Sequence, residues 1–256
     1  MSSIRPTPRP PTAAAEAPPG DTPREASRVR IAPPQEPSPA PGRIPYAHAR
    51  RWWSPYEGPG NEPYLAIYMT PRAYVRVCAH SGSDLENEVG GALVGRWRRD
   101  TSSGRPFIVI EAALPARHTR HGRSYLTFTH DSLVDLHEEL EERYPGKILV
   151  GWYHTHPGMD VFLSGYDLWL HEHFFPYPWQ VALVVEPHAS HGGFFVSQAD
   201  GRPDPLRYAG FSELIPPSTK PAPSEAEGPR TGPEHGSVMR WGNLRPDGNS
   251  LPADGE

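Results

Sequence analysis

Gly151-Trp152-Tyr153-His154-Thr155-His156-Pro157, followed after a short loop by Ser164-Gly165-Tyr166-Asp167, is the stretch on which the reading of this chain turns. It is entered through Lys147-Ile148-Leu149-Val150, and the apolar, β-rich run from Lys147 to Tyr153 predicts a buried strand. Pro157 should stop that strand. Side chains alternate along a strand, so His154 and His156 share one face. Ser164 predicts the N-cap of a short helix that continues through His171-Glu172-His173, with Asp167 in its first turn. A carboxylate placed there can swing back toward the strand end and complete a set of two nitrogens and one oxygen. Catalytic zinc commonly takes three protein ligands of this kind and keeps a fourth position open.

Each half of the pattern also has a plainer reading. His-x-His alone is more often a pair of strand residues making local hydrogen bonds. Ser-x-x-Asp is an ordinary helix start, with the serine capping the first turn and the aspartate favoured by the helix dipole. The two halves together favour the metal reading, and an N-cap serine can keep its hydroxyl facing a metal pocket.

With Ser164 and Asp167 at these distances, His154-Thr155-His156-Pro157 resembles the signature of the JAMM metalloproteases, the catalytically active MPN-domain family. Glu88-Val89-Gly90-Gly91-Ala92-Leu93-Val94-Gly95 is similar to the family's upstream glutamate at a strand start. The resemblance covers roughly residues 64 to 200, the size of one ordinary domain. It implies Zn2+ as cofactor with His154, His156 and Asp167 as ligands, Glu88 as the general acid/base that holds the catalytic water, and Ser164 as a residue that helps stabilise the oxyanion. It further implies an α/β fold of MPN (JAMM) type, a mixed β-sheet flanked by helices. The activity implied is zinc-dependent hydrolysis of a peptide or isopeptide bond, at the C-terminal tail of a ubiquitin-like or sulfur-carrier protein. A reading from another class is a non-catalytic MPN-type scaffold or binding module in a larger assembly.

The residue types suit that chemistry by themselves. Zinc brings the pKa of bound water toward about 7 and polarises a carbonyl. A neighbouring carboxylate can take a proton and return it to a leaving amine, and a hydroxyl such as that of Ser164 can donate to a developing oxyanion. Glu88 is chosen over Glu86 by the strand that follows it, and Glu111, within Phe107-Ile108-Val109-Ile110-Glu111, is a second candidate. His171 lies one helical turn beyond Asp167 on the same face and reads either as a partner standing behind the metal ligands or, preferred, as exposed. His118 and His121 fall in a polar, basic loop, Ala116 to Arg123.

Composition sets the remaining bounds. The chain has 256 residues, 34 of them proline, and is 36% hydrophobic, with a mean hydropathy of −0.61. Much of it should therefore not pack into a core. Residues 1–50 read as a disordered Pro-rich arm, 51–63 as an aromatic linker whose Arg51-Trp52-Trp53-Ser54-Pro55-Tyr56 packs back on the domain, 64–214 as the domain, and 215–256 as a disordered tail. Within that tail Val238-Met239-Arg240-Trp241-Gly242-Asn243-Leu244 is an apolar island, a weak docking-motif signal, and the arms are possible partner-binding segments. A net charge of −5 and a pI near 6.2 supply no basic field for nucleic acid. No secretory signal appears near Met1 and no run approaches the about 18 apolar residues that span a membrane. One cysteine, Cys78, precludes an intrachain disulfide, so a cytoplasmic location is expected.

The domain reads as strand 64–69, helix 71–81, strands 92–98, 106–114 and 125–129, helix 131–142, the His-x-His strand, the Asp167 helix, and strands 181–185 and 194–197. Gly192-Gly193 is read as a hairpin turn.

Overall fold

The structure, a computed structural model, describes residues 38–215 except 46, 47, 59–61, 124 and 199, together with residues 238–247. The remainder of the expected arms, 1–37, 216–237 and 248–256, lies outside the described residues. In chain order the elements are β1 (Ala40–Gly42), β2 (Ala49–Trp53), β3 (Ala66–Met69), α1 (Pro71–Ser81), β4 (Gly90–Asp100), β5 (Pro106–Pro115), β6 (Arg120–Gly122), β7 (Tyr125–Thr127), α2 (His130–Arg143), β8 (Ile148–Thr155), α3 (Gly165–Phe174), β9 (Val181–Glu186), β10 (His191–Phe195), β11 (Phe211–Leu214) and β12 (Arg245–Pro246).

The arrangement is the expected α/β class: a ten-stranded mixed sheet in the order β10-β9-β8-β4-β5-β3-β11-β2-β12, with β1 on the far end of β4 and a separate β6-β7 hairpin. β4 runs antiparallel to both β5 and β8, while β9 runs parallel to β8. These central strands read as continuous apolar runs because both faces are covered; all six residues of β9 are buried. Alternation along β8 then sends neighbours to opposite layers. Tyr153 meets α1, its hydroxyl 2.9 Å from His80 Nδ1, whereas Trp152 meets α3, its indole N–H donating to His171 Nδ1 at 3.1 Å.

The helices start where the sequence says they should. Thr70 caps α1 by accepting from Ala73 N–H, with Pro71 at the first position, where its missing donor is harmless. Thr129 caps α2 and Ser164 caps α3. Among the described residues no helix is long and apolar enough to cross a membrane.

Three differences from the sequence reading concern what closes the sheet. The segment read as a linker supplies strand β2, antiparallel to β11, and Trp52 is buried, so the expected packing of the aromatics extends to strand pairing. β1 likewise brings residues 40–42 of the expected arm into the sheet beside β4. The apolar island of the expected tail is part of the core: Met239, Trp241 and Leu244 are buried, and Trp241 lies edge-on to Tyr74, Phe194 and Phe211. Gly192 and Gly193 stand inside β10 rather than in the turn, which is Pro187–Ser190. A Cβ on Gly192 would stand 2.4 Å from the Trp241 ring, and one on Gly193 2.4 Å from that of Tyr208. The pair of glycines thus answers to close ring packing, not to turn geometry.

Candidate metal centre

β4, β8, β9 and α3 converge on one point. Gly90 is opposite His154 across the β4-β8 ladder, and a Cβ on Gly90 would stand 2.4 Å from Tyr153 C=O, so the strands approach closely where Glu88 enters. Two bonds fix that entry: Val89 N–H donates to Thr155 Oγ1 at 2.9 Å, and Thr155 N–H to Val89 C=O at 2.9 Å. Glu88 N–H donates to Gly122 C=O of the β6-β7 hairpin at 2.9 Å. β8 ends at Thr155, but His156 N–H still reaches Val185 C=O at 2.9 Å, holding the second imidazole in line with the first.

The five expected site residues gather here. His154 Nε2 and His156 Nε2 are 3.0 Å apart. Asp167 Oδ1 is 3.3 Å from His154 Nε2, and its Oδ2 is 3.6 Å from His156 Nε2. One ligand atom from each of Glu88, His154 and His156 lies within 4.8 Å of the others, and all three residues are buried. Ser164 and Asp167 form a capping box: Ser164 Oγ accepts Asp167 N–H, and Asp167 Oδ2 accepts Ser164 N–H at 2.7 Å. Glu111 is elsewhere, paired with Arg96 at 3.2 Å and with Lys147, which leaves Glu88 as the upstream carboxylate of the cluster.

The charges are gathered rather than dispersed. Burial raises the Glu88 carboxyl to about 7, helped by the Asp167 charge and opposed by His156. Burial works against ionised Asp167, yet the charge of His154 and hydrogen bonds from both imidazoles and Ser164 hold it well below the usual carboxylate range. Burial lowers His154 more than Asp167 raises it. His156 is raised: burial is outweighed by Asp167, by the Glu88 charge and by the Asp160 carbonyl. Two Nε2 atoms at 3.0 Å need a proton between them, and a divalent cation can replace it.

The donor set fits zinc. Bonds of about 2.0–2.2 Å at tetrahedral angles place neighbouring ligand atoms about 3.3–3.6 Å apart; the imidazole nitrogens are 3.0 Å apart, and each has an Asp167 oxygen at 3.3 or 3.6 Å, a different oxygen in each case. Glu88 stands as a further oxygen donor against the same imidazoles.

Other supporting residues carried no readable signal. Glu186, buried at the end of β9, accepts from Gly158 N–H at 2.9 Å, His188 N–H at 3.0 Å and Ala189 N–H, and so pins the loop that follows His156. His171, read as exposed, is only 3% exposed. Burial pushes its pKa down to about 4, which keeps Nδ1 available to accept from Trp152. His118 Nε2 stands at the surface, 3.6 Å from an Asp135 carboxylate oxygen.

Residues 62–177 match the family model described as JAB1/Mov34/MPN/PAD-1 ubiquitin protease. Over 109 residues, 42% of this chain, it is 37% identical to the NAD(+) hydrolase TcpA of a Theionarchaea archaeon, covering 30% of that protein. Over 128 residues, 47% of the chain, it is 31% identical to COP9 signalosome complex subunit 5 of Candida albicans, covering 20% of it. Over 146 residues, 57% of the chain, it is 26% identical to 26S proteasome non-ATPase regulatory subunit 14 of Drosophila melanogaster, covering 46% of it. The chain thus spans less than half the length of each of these relatives. A solution structure of a Desulfitobacterium hafniense protein superposes with a TM-score of 0.42 at 20% identity, over 58% of this chain and 90% of that one. Over residues 62–177 the chain is thus similar to the JAB/MPN family.

Proposed function

We propose that this chain is a zinc-dependent peptidase or isopeptidase of the JAB/MPN family, acting on the C-terminal tail of a ubiquitin-like or sulfur-carrier protein. The observation that carries the reading is the convergence of two imidazoles and a carboxylate at distances that a single zinc ion spans, with a second, proton-affine carboxylate beside them. The naming of two relatives as subunits of the COP9 signalosome and the 26S proteasome, and of the family as ubiquitin protease, supports the substrate class.

His154, His156 and Asp167 are the ligands in this reading. Zinc bound there supplies Lewis acidity, polarising the scissile carbonyl and acidifying water at neutral pH. Glu88, which stands against the same imidazoles, is placed to take a proton from water and hand it to the leaving amine; its carboxyl is raised by burial in the metal-free protein, and a bound cation would draw it down again. Ser164 accepts from Asp167 N–H at its oxygen, which leaves its hydroxyl proton to donate to the oxyanion. The buried setting of the cluster strengthens each of these interactions.

The test is zinc content of the wild-type and His156→Ala proteins, together with cleavage of a panel of ubiquitin-like fusions. One zinc per chain that disappears with His156, and cleavage after the carrier's terminal glycine, are the expected results. Glu88→Gln should keep the zinc and lose turnover; normal turnover in that variant would remove Glu88 from its role. A wild-type protein that retains no zinc would instead favour a binding module in a larger assembly.

A further inference from the structure

The two imidazoles are oriented differently. His156 Nδ1–H donates to Asp160 C=O at 3.2 Å, the outer bond by which metal-binding histidines are usually aimed. His154 Nδ1 is buried and has no hydrogen-bond partner among the described residues. Its ring is instead stacked on the Trp152 indole, with centroids 4.5 Å apart and planes 10° from parallel. Trp152 is two residues before His154 on the same face of β8, fully buried, and its indole N–H is held by His171 Nδ1 at 3.1 Å. His171 in turn stands one helical turn beyond Asp167 on α3.

We propose that the Trp152–His171 hydrogen bond is the positioning device for His154: it fixes the plane of the indole on which the imidazole rests, and ties the strand carrying His154 to the helix carrying Asp167. The inference rests on the zinc reading above. A freely rotating indole would leave the His154 ring with neither an outer hydrogen bond nor a fixed plane, and would leave α3 one bond fewer to β8. His171 does not face the ion; it acts through Trp152, and the bond requires an acceptor at its Nδ1 rather than an imidazole as such.

The test uses the full chain and two metal probes, zinc by chelator competition and cobalt(II) by its visible absorption, which reports the ligand geometry. His171→Leu removes the acceptor and keeps the bulk, His171→Gln restores an acceptor, and Trp152→Phe keeps a stacking ring without the donor. Loss of the outer hydrogen bond of a ligating histidine costs about 10–100-fold in metal affinity, and a stacked ring that loses its fixed plane should lose up to as much. That loss, with a changed cobalt spectrum, is expected for His171→Leu and Trp152→Phe, while His171→Gln should stay near wild type. Wild-type affinity and an unaltered spectrum in a folded His171→Leu or Trp152→Phe protein would overturn the inference and leave the zinc reading standing. Absence of metal binding in the wild type would overturn the zinc reading itself. Should His171→Leu not fold, the contrast between Trp152→Phe and His171→Gln decides.

Discussion

Asp167 and Glu213 are both carboxylates that the fold buries, 4% and 3% exposed, and they are met by different kinds of neighbour. Glu213 accepts the Trp52 indole N–H at 3.2 Å and the Val238 backbone N–H at 3.1 Å. Both are neutral donors, drawn from segments far apart in the chain, and the carboxylate clasps them over the core. Asp167 takes one backbone N–H from Ser164 but otherwise faces two imidazole nitrogens that also crowd each other, with Glu88 close by. A buried carboxylate is therefore not in itself a mark of function. The informative feature is a set of neighbours that a cation would satisfy better than they satisfy one another.

The sharpest way to separate the two regions is to break the clasp. Trp241→Ala removes an indole enclosed by Tyr74, Phe194 and Phe211 and should cost about 3–5 kcal/mol in a denaturant melt. Zinc per folded chain should be unchanged, since the indole touches none of the proposed ligands; loss of metal from the folded variant would erase the distinction. Acid provides the next test, on metal-free protein. The His171 pKa is depressed to about 4 in the fold, against about 6.5 in the unfolded chain. Above that upper value His171 is neutral in both states and adds no pH dependence. As pH falls from about 6.5 to about 4 the unfolded chain gains the proton first, and stability drops by up to about 3 kcal/mol. His171→Gln should flatten that slope, and superimposable pH curves for the two proteins would show that the imidazole is not held neutral. The smallest effects come from a matched pair. Glu213→Gln should lose about 1 kcal/mol of stability and keep zinc, whereas Asp167→Asn should lose zinc; the reverse pattern would reverse the assignment of the two carboxylates.

What could be read in the sequence follows from how locally it is encoded. α1 announces itself through Thr70-Pro71, α3 through Ser164 and Asp167, and β8 through an apolar run ended by Pro157; each signal sits within one turn or strand. The cluster was legible because four of its five members lie on or directly beside two consecutive elements, β8 and α3, and Glu88 precedes the strand that pairs with β8. β2 was not legible as a strand: Arg50 and Arg51 interrupt its apolar pattern, and its partner β11 lies far along the chain. β12 is two exposed residues long; it pairs with β2 just beyond the buried Met239, Trp241 and Leu244. For His171 the helical phase shared with Asp167 pointed inward and the polarity pointed to solvent, and the phase is what the fold follows. The donor that draws it inward, Trp152, is 19 residues away. Glu186 looked like the polar end of a buried strand, and only the folded loop brings three backbone donors to it.

The clasp at Glu213 has a consequence for how this chain can change length. Ile215 N–H bonds to His48 C=O, and Val238 N–H bonds to the side chain of Glu213, two residues before Ile215. The chain therefore leaves the sheet and returns to it at nearly the same spot. The closure entropy of a flexible connection rises by only about 0.6 kcal/mol for each doubling of its length. Two chain ends held this close together form a graft point, where a connection of another length could be carried at little thermodynamic cost while Trp241 remains seated against Gly192.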